Sequence, residues 1–326
     1  MPGDSRERAD LLEHERCAFR SAGGDFSLLH GDSLVELERL PAGTVDMIFA
    51  DPPYFLSNGG MTCKSGRIAR VDKGAWDRSM GVEQDFEFHM RWLELCRRAL
   101  ARNGTIWVSG TRHIIFAVGF AMQRLGYRLL NEVVWYKKNP PPNLCCRYFT
   151  HATETILWAA RDAKSRHCFN YAAMKLANGG KQMQSLWTIL APRAAEKVEG
   201  KHPTQKPLAL LERIVTASTR EGDLVLDPFN GSGTTGIAAT RLGRRYLGIE
   251  IDRTYVDLTV RRYLAERGIY RTGPLPETAD RNRANLPQGD GPNAIPAAVS
   301  SDSTAGRAAS ASPASSSTSK DTLPSG

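Results

Sequence analysis

The sequence has no C-x-x-C pair: its six cysteines are scattered at positions 17, 63, 96, 145, 146 and 168. This spacing excludes a zinc site of the usual kind and a dense disulfide framework. The cysteines read as reduced thiols in a cytosolic protein, with no metal expected. An apolar run of about 18 residues is also missing, as is a charged-then-apolar opening, so neither a membrane span nor a secretory signal is expected. From Pro274 to Gly326 there is no aromatic residue, and Ser, Ala, Pro and Gly dominate. Such a stretch cannot bury enough apolar surface to order itself, and a disordered tail is expected.

The composition of the 326 residues, 41% hydrophobic and 24% charged, is that of an ordinary soluble globular protein. The formal charge is +8 and the pI about 9.3. The tail holds four basic and five acidic residues, so the basic excess lies in the body. A basic body favours a polyanionic partner over a neutral one.

A strand-like run, Val45 to Ala50, ends in Asp51-Pro52-Pro53-Tyr54. In open α/β sheets, the C-terminal end of a strand is where ligands bind. The two prolines stiffen the loop and remove two amide donors, which leaves carbonyls free to accept. A carboxylate, a free carbonyl and an aromatic ring together suit a planar base bearing an exocyclic amino group. A proline-rich turn with no chemistry is the plainer reading of this tetrapeptide alone.

A second constellation follows near residue 227. Leu224-Val225-Leu226 reads as a short buried strand running into Asp227-Pro228-Phe229-Asn230-Gly231-Ser232-Gly233-Thr234-Thr235-Gly236, and a helical pattern begins at Ile237. Glycines permit a sharp turn and close approach to a ligand, and a helix N-terminus offers free amides. The next strand, from Arg245, ends in Glu250-Ile251-Asp252, where an acid can hold a ribose diol. Gly231, Gly233 and Gly236 also satisfy G-x-G-x-x-G, a weak dinucleotide signal by itself. Against that reading, the chain leaves room for only about one further βα unit. Asp227 and Phe229 also stand where a pyrophosphate would want neither. A cationic cofactor with an adenosine end and an amino-acid end fits this lining better.

Along the chain, Ser27–His30, Val45–Ala50, Thr105–Ser109, Leu129–Tyr136 and Thr155–Ala160 read as strands. Leu34–Leu40, Phe86–Ala101, Ile114–Leu125 and Pro207–Ala217 read as helices, with Asp32 in the turn that caps the first. The alternation indicates an α/β protein with a doubly wound, mostly parallel sheet. Residues 55–79 read as a long basic loop. Residues 161–201 lose the rhythm and mix Lys164, Arg166, Lys175, Lys181, Gln182, Gln184 and Arg193 with Tyr171 and Trp187, a set able to reach phosphates and base edges.

Asp-Pro-Pro-Tyr first, His202-Pro203-Thr204-Gln205-Lys206-Pro207 later and Phe229-x-Gly231-x-Gly233 last resemble the beta group of amino DNA methyltransferases. The likeness runs over about residues 26–268, including Asp46–Ala50, Leu130–Pro140 and Phe169-Asn170-Tyr171. It is similar to cell-cycle-regulated adenine methyltransferases and to modification enzymes of restriction systems.

The resemblance implies a circularly permuted S-adenosylmethionine-dependent methyltransferase fold. Its parts would be a flexible arm (1–24), a methyltransferase domain (25–273) and the disordered tail (274–326). Within the domain, a catalytic half (25–160) would precede a target-recognition segment (161–201) and a cofactor half (202–273). The catalytic residues would be Asp51, Pro52, Pro53 and Tyr54, with Asp51 and the Pro52 carbonyl holding the hydrogens of adenine N6. Tyr54 would stack on a base turned out of the duplex.

Asp32, Thr204, Lys206, Asp227, Phe229, Asn230, Gly231, Gly233 and Glu250 would hold S-adenosylmethionine, with Glu250 on the ribose and Thr204 and Lys206 near the methionine carboxylate. His202 is as readily structural as a ligand. Lys64, Arg67, Arg70, Lys73, Lys137, Lys138 and Lys181 would meet DNA, double-stranded or single-stranded. No Pro-Cys dipeptide occurs, so a covalent cysteine route is not expected. The chain would act as a monomer or homodimer, in the cytoplasm of a bacterium or from a phage, near the nucleoid, with or without a cognate restriction endonuclease. Cytosine-N4 methylation, a non-catalytic DNA-binding module and a nicotinamide oxidoreductase are the competing readings.

Overall fold

The computed structural model describes residues 17–57, 61–64, 67–70, 77–140, 142–144 and 146–269. The expected tail and most of the expected arm lie outside these residues.

Nine strands form one sheet: β1 (Cys17–Arg20), β2 (Phe26–His30), β3 (Val45–Ala50), β6 (Leu100–Gly110), β7 (Arg128–Tyr136), β8 (Thr153–Ala160), β9 (Leu186–Thr188), β10 (Leu224–Asp227) and β11 (Arg245–Glu250). Their spatial order is β1-β2-β11-β10-β3-β6-β8-β7-β9. Neighbours from β2 through β6 are parallel, as are β7 and β9. Edge strand β1 and interior strand β8 run antiparallel to their neighbours. The mostly parallel, doubly wound α/β architecture expected from the alternation is present.

Helices cover both faces of this sheet, which is why the strands read as continuous apolar runs. On β3, Ile48 and Ala50 enter one core, with Trp92 and Leu93 of α2 (Val82–Ala99), Leu37 of α1 (Ser33–Arg39) and Val118 of α3 (Ile115–Arg124). Met47 and Phe49 enter the other. Their neighbours there are Leu210 and Ile214 of α5 (Leu208–Ser218), Ala238 of α6 (Thr234–Arg241) and Val256 of α7 (Arg253–Glu266). Trp92 and Trp107, one in each core, are almost fully buried. Truncating either to Ala costs about 3 to 5 kcal/mol. Asp32 caps α1 as expected, its carboxylate accepting from the amides of Leu34 and Val35 at 2.8 and 3.2 Å.

Three departures from the sequence reading stand out. Cys17–Arg20, placed in the flexible arm, is edge strand β1, held to β2 by antiparallel pairing. The 55–79 stretch carries a hairpin, β4 (Met61–Lys64) against β5 (Arg67–Arg70). Residues 161–201 include a short helix, α4 (Tyr171–Ala177), and strand β9, which extends the sheet along β7. Among the described residues, no helix is long and apolar enough to cross a membrane.

At the centre, β3 and β10 lie side by side. From β3 the sheet continues to β6, and from β10 to β11, in opposite directions. The loops leaving these two strands therefore diverge and open a crevice between them, the usual ligand site of a doubly wound sheet.

Candidate active site

A cavity of about 690 Å³ occupies that crevice. Its lining brings together segments far apart in sequence: Asp32, Asp51 to Phe55, His202, Thr204 to Lys206, Asp227, Phe229 to Ser232, and Glu250. All four expected catalytic residues and eight of the nine expected cofactor residues thus face one space. The exception is Gly233, which is absent from the lining. Its φ of 72° begins helix α6, and a side chain there would meet Thr259 at 2.5 Å. Gly233 shapes the turn and does not touch the cavity.

The Asp51 loop is held by a closed set of polar contacts. Tyr54 Oη donates to one Asp51 oxygen at 2.6 Å, and Lys206 Nζ donates to the other at 2.5 Å. Lys206 also reaches Tyr54 Oη at 3.2 Å and a Glu154 oxygen at 3.4 Å. Glu154 in turn pairs with Lys137 and accepts from Ser109 Oγ at 3.3 Å. Two carboxylates and two ammoniums make a neutral, buried cluster. Burial works to raise the Glu154 carboxyl, but the charges of Lys206 and Lys137 outweigh it and hold it near 2. Burial pushes Asp51 upward, with Lys206 pulling back and the Glu154 anion pushing the same way as burial. Burial also works against the Lys206 charge, but the two carboxylates outweigh it and keep that ammonium protonated.

Three of the expected site residues have partners within the protein. Lys206, expected near a methionine carboxylate, lines the cavity and is engaged by Asp51 and Glu154. Lys137, expected at a DNA phosphate, is committed to Glu154, and its ammonium lies 4.6 Å from the Trp135 ring. Tyr54, expected to offer an open face for stacking, is 6% exposed, with its hydroxyl turned to Asp51.

The second half of the lining is built on the glycine loop. Glu250 accepts from the Gly231 amide at 2.7 Å and from the Asp252 amide at 2.9 Å, one to each oxygen. A carboxylate has about four lone-pair sites, so each oxygen keeps capacity for a ligand hydroxyl. Burial raises Glu250 to about 7. Asp227 is likewise raised to about 7 by burial, although it accepts from Thr235 Oγ1 and the Phe229 amide. Asn230 faces inward and ties the loop to Thr259 and Tyr246 at 2.8 Å each. Phe229 stands edge-on to Trp92, their centroids 5.5 Å apart. His202 accepts from the Thr204 amide at 3.3 Å and packs on Tyr255, 4.3 Å between centroids. That favours a structural part for His202.

Two site residues were not singled out in the sequence. Asp77 is fully buried and accepts from the amides of Tyr54 and Leu56 at 2.9 and 3.2 Å and from Ser57 Oγ at 2.8 Å. It pins the segment that follows the two prolines. Glu154 is the other. Each lies where neither motif nor periodicity marks a position: an Asp inside a stretch read as loop, and an acid near the start of a strand.

Lys138 and Lys181 are exposed, as a phosphate contact requires. Lys73, and the side chains of Lys64, Arg67 and Arg70, lie outside the described residues.

Comparison with known proteins agrees with this geometry. A family model described as DNA methylase, of the N6/N4 type, matches residues 45–261. Among curated proteins, the Type II methyltransferase M2.LlaDCHI of Lactococcus lactis subsp. cremoris is 54% identical over 236 residues, covering 72% of this chain and 88% of that one. M2.DpnII of Streptococcus pneumoniae, also a Type II methyltransferase, is 52% identical over 240 residues, 73% and 90% of the two chains. Among solved structures, the complex of M1.HpyAVI with SAM superposes with a TM-score of 0.56 at 27% identity, over 73% of this chain and 98% of that one. The cytosine-N4-specific PvuII DNA methyltransferase shares the fold with a TM-score of 0.61 at 20% identity, over 78% and 92%. With the permuted order of motifs, the shared cavity and these matches together, the chain belongs to the N6/N4 DNA methylase family.

Proposed function

We propose that this protein transfers a methyl group from S-adenosylmethionine to N6 of adenine, in a base turned out of a short recognised DNA sequence. The observation that carries the reading is the joining of Asp51 and Tyr54 with Phe229, Gly231 and Glu250 in one cavity. The buried acid, the ring and the glycine loop suit a cofactor with a ribose diol, an adenine and a positive charge. Glu250 would take the diol, Phe229 would pack against the adenine, and Asp51 and Asp227 would give the positive charge an anionic surrounding. When bound, S-adenosylmethionine supplies an electrophilic methyl group on a sulfonium.

The chain's own contribution is positional and electrostatic. The lone pair of adenine N6 is conjugated into the ring and does not attack unaided. Asp51 accepts one N–H and the Pro52 carbonyl accepts the other, so the amine can leave the ring plane and point its lone pair at the methyl group. As positive charge develops on nitrogen, the largely buried Asp51 carboxylate stabilises it at close range. Asp77 keeps the Tyr54 and Leu56 amides in place, so the Pro52 carbonyl stays aimed. The aspartate at position 51 supports adenine over cytosine. Likeness to Type II methyltransferases supports a place in a restriction–modification system with a cognate endonuclease that reads the same site.

Expression in a host without adenine methylation, followed by modification-sensitive sequencing of its DNA, tests the reading. Modified adenine at one short motif is expected. A genome modified at cytosine, or unmodified, would overturn it.

A further inference from the structure

The polar cluster behind Asp51 contains one more carboxylate than a simple positioning acid needs. Lys206 Nζ has three hydrogens, and three acceptors surround it: Asp51 at 2.5 Å, Tyr54 Oη at 3.2 Å and Glu154 at 3.4 Å. Without Glu154, the ammonium would fall wholly on Asp51 and Tyr54. Both Asp51 oxygens already accept one hydrogen bond each. The target amine needs a strong acceptor among the remaining lone pairs, and a carboxylate neutralised by an undivided buried ammonium is a weak one.

Glu154 reaches this point because β8 runs antiparallel between β6 and β7. It stands in register with Trp135, whose strand ends just before Lys137. Its side chain is 11% exposed. It is held by Ser109 Oγ from β6 and by Lys137, so it cannot swing away. A buried acid with this many partners is more than Lys137 alone would require.

We propose that Glu154 is a positioning residue for methyl transfer, taking a share of the Lys206 ammonium so that Asp51 keeps an open, basic oxygen for the target amine. It touches neither base nor cofactor and acts through Lys206. This rests on the methyl-transfer reading of the cavity, and wild-type transfer measured in the same assay tests that reading separately.

The test is a double-mutant cycle of Glu154→Gln and Lys206→Met in single-turnover methyl transfer, with cofactor affinity by calorimetry and folding by thermal melting. Glu154→Gln, which keeps shape and loses charge, should lower the transfer rate at least tenfold and leave cofactor affinity within twofold. In the Lys206→Met background, the same change should cause no further loss, since the ammonium to be shared is gone. The charged groups facing Asp51 are Lys206 and Glu154, with Lys137 behind Glu154, Tyr54 on the same loop and Asp227 across the cavity. Removing the Glu154 anion should therefore shift the acidic limb of the rate–pH profile to lower pH. An equal loss in both backgrounds would overturn the proposal, as would a loss confined to cofactor affinity or an unmoved acidic limb. Should Glu154→Gln fail to fold, Glu154→Asp, which keeps the anion but draws it back from Lys206 by one methylene, carries the same cycle read on rate and cofactor affinity alone: a lowered rate that vanishes in the Lys206→Met background supports the proposal, and an equal loss in both backgrounds overturns it.

Discussion

Replacing Asp51 with Ala separates chemistry from cofactor binding. The substitution removes the acceptor of Lys206 at 2.5 Å and of Tyr54 at 2.6 Å, along with the acceptor for the target amine. A preorganised hydrogen-bonding group of this kind is worth about 2.7 to 4 kcal/mol, or about 100- to 1,000-fold in rate. The stability cost is smaller than that of a fully orphaned buried ammonium, about 3 to 5 kcal/mol, because Glu154 remains 3.4 Å from Lys206. Lys206 also keeps Tyr54 Oη at 3.2 Å, so the net loss is nearer that of a single hydrogen bond to a charged group, about 1.5 to 3 kcal/mol. At about 2 to 4 °C per kcal/mol for a domain of this size, the melting temperature should drop by roughly 3 to 12 °C. Glu250 and the glycine loop are untouched, so cofactor affinity should hold. The assay is single-turnover transfer of labelled methyl at saturating DNA, beside calorimetric titration of the cofactor. Asp51→Asn should fall between wild type and Ala, since it keeps an acceptor without the charge. Retention of more than about a tenth of the wild-type rate, or a parallel collapse of cofactor affinity, would refute the assigned role.

Three further outcomes follow from the geometry. Burial raises the Glu250 and Asp227 carboxyls to about 7, so their protonated forms favour the free fold at low pH, and that contribution is lost as pH rises through about 7. The cofactor needs Glu250 ionised, so its affinity should rise about tenfold between pH 6 and 8; a flat profile, or the same slope in Glu250→Gln, would remove Glu250 from that part. Gly236→Ala would set a methyl 2.5 Å from the Tyr246 ring, and overpacking of this kind should destabilise by about 1 to 3 kcal/mol, seen as a lowered midpoint in chemical denaturation. Replacing exposed Lys138 with Ala should reduce the log–log salt slope of DNA affinity by about 0.9 without changing the methylated sequence. Changes within residues 164–190 should alter that sequence at similar slope, and the reverse pattern would invert the placement of recognition.

The parts of the fold legible in the sequence were those dictated by local pattern. Val45–Ala50, apolar but for Asp46, and Leu224–Leu226 are each followed by Asp-Pro, and both are central strands. Helix α2 begins at Val82, ahead of the expected Phe86, where Asp85 in its first turn accepts from Ser79 Oγ and the Met80 amide at 2.6 and 3.1 Å and ties down the turn before it, local hydrogen bonds that apolar periodicity does not show. Strand β1 was hidden because it is short and takes its order from pairing with β2. In the site, the motif residues converge because β3 and β10 are neighbours. The partners of Lys206 and Lys137 stayed hidden for a shared reason: a cation's partner is set by the strand beside it, and nothing in a linear motif names Glu154 as that partner. Asp77 escaped notice likewise, since its three donors come from residues 20 to 23 positions away.

The most direct test of the account is to incubate the purified protein with DNA and methyl-labelled S-adenosylmethionine, digest the DNA to nucleosides and identify the labelled one by mass. Label is expected in N6-methyladenine, lost in Asp51→Ala and retained at raised cofactor concentration in Glu250→Ala. Label in N4-methylcytosine, or labelling that survives loss of Asp51, would contradict it.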